Sequence, residues 1–142
     1  MPQATQINIA PYEAIVFGSW ACAGGISKIN WFKRNIDKWE DKKLIAFCVG
    51  GSPIDSQEID IALKRNFNES EQKKVKTFYC PGGFDYKKMS TLSKLMMKMF
   101  VKMLKAKKDK TREEQEMINM ISSSYDISGR KYIGPIVWYL KR

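Results

Sequence analysis

The sequence contains no histidine. That excludes imidazole acid–base chemistry, histidine-based triads and most zinc sites. Its three cysteines, Cys22, Cys48 and Cys80, share no metal-ligand spacing, and their odd number argues against a disulfide framework. Residues 1–10, MPQATQINIA, lack the basic stretch and apolar run of a secretory signal. No window reaches about 18 uninterrupted apolar residues, so no membrane-spanning helix is expected. Together these absences predict a chain that works in a reducing cytoplasm. Acidic residues are scarce in one place only. Between residues 87 and 112 Asp109 stands alone against ten Lys and Arg, so that segment carries +9 of the net +10. The basic character belongs to one element and needs its own account.

What the chain does have is a core. Hydrophobic residues make up 44% of 142, enough for one domain over residues 1–142. Three runs, at 13–19, 43–51 and 75–83, are apolar on both faces, the pattern of strands covered on both sides in a parallel sheet. Helices are expected between them. Residues 27–40 place Ile29, Phe32, Ile36 and Trp39 on one face, and residues 56–67 carry Ile59, Leu63 and Phe67 behind a cap at Asp55 or Ser56. A long helix is expected from about Thr91 to Lys105. A second, at 111–122, opens on the capping-box pair Thr111 and Glu114. A last one begins near Gly134–Pro135. Strand, helix, strand, helix, strand predicts an α/β layer fold with right-handed crossovers.

Open α/β sheets take ligands at the carboxyl ends of their strands. Here those ends read Ser19, Trp20, Ala21, Cys22, Ala23, Gly24 and Gly25; then Gly50, Gly51, Ser52 and Pro53; then Gly82, Gly83, Phe84, Asp85 and Tyr86. Glycine lets backbone approach a ligand and present N–H groups, and Trp20, Phe84 and Tyr86 can stack on a planar ring. Glycine and proline also end strands in any protein, so spacing alone leaves both readings open. Asp85 and Tyr86 are the nearest polar side chains, but neither is assigned as an acid or base. Cys22 and Cys80 read as small apolar side chains rather than redox groups.

The stretch YEAIVFGSWACAGGISKINWFKRNIDKWEDKKLIAFCVGGSP, residues 12–53, resembles the middle of a flavodoxin domain. Residues 82–114, GGFDYKKMSTLSKLMMKMFVKMLKAKKDKTREE, are similar to a basic, Met-rich stretch of the flavodoxin-type, menaquinone-dependent protoporphyrinogen oxidases. The resemblance implies a flavodoxin-like, three-layer parallel sheet, with a basic helical insertion at about 87–122 after the last recognised strand. It also implies FMN as cofactor and electron transfer as activity. Residues 19–25 and 50–53 become the two loops that hold the flavin ring, and residues 82–86 lie at the third strand end. The family opens on a strand, a Thr/Ser-rich phosphate loop and a helix, which residues 1–11 are too few to hold. The fold is therefore expected to be truncated at its N-terminus. The sheet beside residues 13–19 is expected to be covered by a longer chain, by a partner or second copy, or by residues 5–9 acting as a substitute strand.

On a helical wheel Leu92, Leu95, Met96, Met99 and Met103 share one face, opposite Lys94, Lys98, Lys102 and Lys105. Three readings stand side by side. The helix packs on the sheet with its lysines solvated; or residues 87–108 lie on an anionic membrane surface; or the methionines form a surface for a redox partner protein or a quinone. Nucleic acid is not expected as a partner, since no exposed aromatics interleave with the lysines. The alternative to an FMN-binding oxidoreductase is thus a non-catalytic module that docks through this helix on a membrane or protein partner.

Overall fold

The three doubly apolar runs lie side by side. The computed structural model describes residues 8–22, 24–56 and 58–142. β1 (Ala14–Cys22), β3 (Lys43–Gly50) and β4 (Val75–Pro81) are parallel, and a short β2 (Gly25–Ile26) runs antiparallel to the end of β1, giving the order β2-β1-β3-β4. The register pairs Phe17 with Ala46, and Leu44 with Val75. Side chains alternate across the sheet. Phe17, Leu44, Ala46, Cys48 and Val75 point to one face. That face is closed by α1 (Ile29–Lys33), a 3-10 turn (Ile36–Trp39) and α2 (Glu58–Arg65). Phe32 is wholly buried there, with ring centroids of Phe17 and Trp39 at 5.3 and 5.7 Å.

On the opposite face Ile45 and Cys80 are buried beneath Ile136, with Phe47, Phe78, Tyr132 and Tyr139 packed around them. These last residues belong to a 3-10 turn (Arg130–Ile133) and to a C-terminal helix (Gly134–Leu140), whose first turn holds Pro135 as the sequence predicts. The cover stops short of β1. Val16, Trp20 and Val49 remain exposed on that side.

Between sheet and C-terminal helix the chain makes an excursion. A two-stranded ribbon, β5 (Gly83–Phe84) against β6 (Tyr125–Asp126), forms its neck. Beyond the neck stand α4 (Thr91–Ala106) and α5 (Arg112–Ile121), packed on each other. The Thr111–Glu114 capping box is formed in both directions, at 3.1 and 3.0 Å.

Several expectations are corrected. The helix expected over 27–40 is broken, because the Asn35 side chain donates to the Trp31 carbonyl at 2.7 Å and ends α1. The intended face survives the break: Ile29, Phe32, Ile36 and Trp39 are all buried. A further helix, α3 (Glu69–Lys74), is closed by an Asn68–Glu71 capping box that the apolar periodicity does not reveal. The third strand ends at Pro81 rather than residue 83, and the residues after it join the neck. The reading of α4 as a helix packed on the sheet is overturned, since it buries no residue. The substitute strand at 5–9 falls mostly outside the described residues; Asn8 and Ile9 are not in a strand, and Ile9 packs half-buried against the core. Among the described residues the outer edge of β1 from Ala14 to Ser19 has no ladder partner.

Candidate functional site

β1 runs on past its last register pair, Trp20 with Val49, and turns at Gly24 (φ 77°) into β2. That left-handed backbone suits a residue without Cβ. Ser19, Trp20, Ala21 and Cys22, expected in a loop, are therefore strand; Gly24 is the turn, Gly25 begins β2, and Ala23 lies outside the described residues. Asn66 fastens this hairpin to the end of α2. Its Oδ1 accepts from Ile26 N at 2.8 Å, and its Nδ2 donates to the Ala62 carbonyl at 2.6 Å. At the hairpin the Trp20 side chain is 54% exposed, with the Lys28 ammonium 5.9 Å from its ring centre. The Ser19 hydroxyl is buried and has no hydrogen-bond partner among the described residues. Leaving such a group unpaired costs about 1–3 kcal/mol.

Beside the hairpin, residues Gly50 to Pro53 leave β3. Tyr79 clamps them: its hydroxyl accepts from Ser52 N and donates to Ser52 O, both at 2.9 Å. Tyr125 donates to the Gly51 carbonyl at 2.7 Å. A Cβ on Gly51 would come within 2.6 Å of the Phe84 ring, so glycine here serves close packing. Gly82 N donates to Gly50 O at 2.7 Å, and Gly82 O accepts from Ile127 N at 2.9 Å. Gly83 and Phe84 pair in the neck, with the Phe84 ring edge-on to Tyr125 at 5.5 Å. Asp85 accepts from Lys87 N, and Tyr86 reaches Ser124 through its amide and the Ile121 carbonyl through its hydroxyl. The structure thus brings residues 19–25 and 50–53 together along one edge. It uses 82–84 to support the second loop from below and carries 85–86 into the excursion. Tyr79, Tyr125 and Asn66 were not singled out from the sequence. Tyr79 is hidden in an apolar strand, and Tyr125 lies 74 residues from the carbonyl it holds.

Burial governs the protonation of this edge. It pushes the Tyr125 phenol up to about 12, reinforced by Tyr79 and Tyr86. It also raises Tyr79, partly opposed by the bond to Ser52. The Cys48 thiol is pushed up to about 11, first by burial and then by Cys80. Burial raises Cys80 as well. Both are protonated, buried thiols, unsuited to nucleophilic chemistry; Cys22 is exposed. No cluster of residues able to hold a metal ion occurs among the described residues. A cleft of about 420 Å³ opens between α2 and the turn at 130–133, lined in part by Asp55, Asp60, Phe78, Tyr79 and Tyr132, and residues 19–25 take no part in its walls.

Order 1-3-4 among the parallel strands, with helices on both faces, is now joined by a direct comparison. A family model described as a flavodoxin domain matches residues 1–111, from the first residue through α4 to the cap of α5. The chain belongs to the flavodoxin-domain family. No curated protein and no solved structure matches it.

A flavodoxin domain implies a flavin, and the residues present fit it on one side only. For a planar ring the edge offers the exposed Trp20 and backbone at Gly24–Gly25 and Gly50–Gly51, while Ser19, its neighbour in the strand, points to the opposite face with Cys48. For a phosphate the described residues offer little: α1, only five residues long, opens at Lys28 without a side-chain cap. The N-termini of α3, α4 and α5 are closed by their own caps, Asn68, Ser90 and Thr111. α2 opens with Glu58 and Asp60, and the C-terminal helix opens with a proline that has no N–H to give.

Proposed function

We propose that this flavodoxin domain contributes the ring-side half of an FMN site in an electron-transfer protein or oxidoreductase. The observation that carries the reading is the β1–β2 hairpin. It sets an exposed indole beside a glycine-lined second loop. When bound, a flavin supplies electron chemistry of its own, and the protein binds and tunes it. The chain's part is positional. Trp20 would cover one ring face, and Gly24–Gly25 and Gly50–Gly51 would present backbone to the ring edge. Tyr79 and Tyr125 hold the second loop in place for that purpose. A redox protein or a quinone would exchange electrons at this edge.

Riboflavin and FMN differ only in the phosphate, so titrating protein into each and following the flavin fluorescence tests the half-site. The two should bind within about tenfold of each other, a difference of about 1.4 kcal/mol. FMN bound more than about a hundredfold tighter would mean that two or more charge-assisted hydrogen bonds hold a phosphate, and would refute the half-site. If neither binds, the second reading takes over: a docking module without flavin. The tight filling of the second loop by Tyr79, Tyr125 and Phe84 favours that reading.

A further inference from the structure

α4 is 16 residues long, about 24 Å, and contains no acidic residue. Three faces are distinguishable. Met97, Val101 and Leu104, with Lys94, are half-buried, and these positions mark the side turned toward α5. A second face presents Leu92, Leu95, Met96, Met99 and Met103 to solvent, each more than half exposed, with Phe100 at its margin. Lys98, Lys102 and Lys105 form the third, flanking that stripe. Among the described residues none of Lys94, Lys98, Lys102 and Lys105 joins an ion pair. An apolar stripe of this length left in water is rare on a monomer and marks a contact surface.

We propose that α4 lies in the surface of an anionic phospholipid bilayer and docks the domain there, independently of whether a flavin binds. Charge complementarity selects the occupant. Residues 87–112 hold ten bases against one acid; Lys98, Lys102 and Lys105 flank the stripe unpaired, whereas Lys107 and Arg112 pair with Glu114 and Glu116, and a negative lipid surface answers the unpaired lysines. The composition of the stripe agrees. Unbranched methionines, with leucines and one phenylalanine, adapt to fluid acyl chains. No helix among the described residues is long and apolar enough to cross a membrane, so the helix rests in the interface with its axis in the bilayer plane. The helix packs chiefly on α5.

The test is co-sedimentation of the full chain with vesicles of phosphatidylcholine, alone or mixed with phosphatidylglycerol. Binding is expected only to the mixed vesicles and should weaken with added salt. Replacing Lys94, Lys98 and Lys102 together by Gln should weaken it roughly a hundredfold. Replacing Met96 and Met99 by Gln should weaken it more than about tenfold at unchanged charge. Those side chains face outward or sit at the rim, so circular dichroism should show both variants folded. Failure of the unmodified protein to sediment at low salt would overturn the proposal and leave the stripe to a protein partner. Equal binding to neutral vesicles would overturn the charge argument, and full binding by the methionine variant would overturn insertion.

Discussion

Gly51 sits where two aromatic side chains converge. Its carbonyl takes the Tyr125 hydroxyl, and its Cα faces the Phe84 ring. Gly51→Ala forces a methyl into that contact and should lower the unfolding free energy by about 1–3 kcal/mol, read as a lower urea midpoint. Asn66→Ala frees the amide of Ile26 from its acceptor. It should cost about 1–2 kcal/mol and increase proteolytic nicking at the 22–25 turn. The cysteines divide by depth: a thiol reagent on the folded protein should modify Cys22 alone, and reach Cys48 and Cys80 only in denaturant. Labelling of Cys80 in the native state would show that the C-terminal helix does not stay seated on it. The glycines were legible in the sequence as a cluster at strand ends, but their purposes were not. Gly24 supplies a turn, whereas Gly51 and Gly83 make room for aromatic and backbone partners from about residue 125, a contact no local pattern records.

At the scale of elements, the parallel strands were plain because burial on both faces leaves a run of apolar residues that few other structures share. Their ends were less so. Small residues from Ser19 to Cys22 suit a loop by composition, yet the chain continues as strand because Gly25 and Ile26 fold back to pair with it. α3 was illegible for a different reason: ESEQKK has no apolar stripe, and its stability rests on its cap. β1 provides the sharpest test at this level. β3 is bonded on both sides, whereas the outer edge of β1 from Ala14 to Ser19 has no partner among the described residues. Hydrogen exchange should therefore protect β3 most and leave the outward amides of β1 fast. If β1 protection rises with protein concentration, a second copy covers that edge, the outcome expected of an exposed apolar strand.

For the whole molecule, alkali should be the weak side. The Cys48 and Tyr125 groups hold their protons in the fold up to about 11 and 12, against ordinary values of 9.0 and 10.0. An unfolded chain releases those protons earlier. Stability is then complete below about pH 9 and declines as pH rises from 9 toward 12. Urea midpoints should be level from neutrality to pH 9 and fall beyond it, less steeply in Tyr125→Phe than in the unmodified protein. A midpoint flat to pH 11 would contradict the burial of these groups.

The separation of charge along the chain has a kinetic consequence. Residues 87–112, α4 among them, carry +9, whereas Asp85, Glu113, Glu114 and Glu116 bring the excursion beyond the β5–β6 neck to +5, half of the net +10. Positive charge is therefore densest on the stretch that holds α4. Near a negative surface the molecule experiences a torque before it touches, so it arrives turned with α4 foremost rather than tumbling through unproductive collisions. Encounter rates with any anionic target should exceed those of a neutral protein of equal size, and should fall with ionic strength even where the final contact is apolar. The neck springs from the same strand ends as the candidate edge, so whatever orients α4 orients that edge with it.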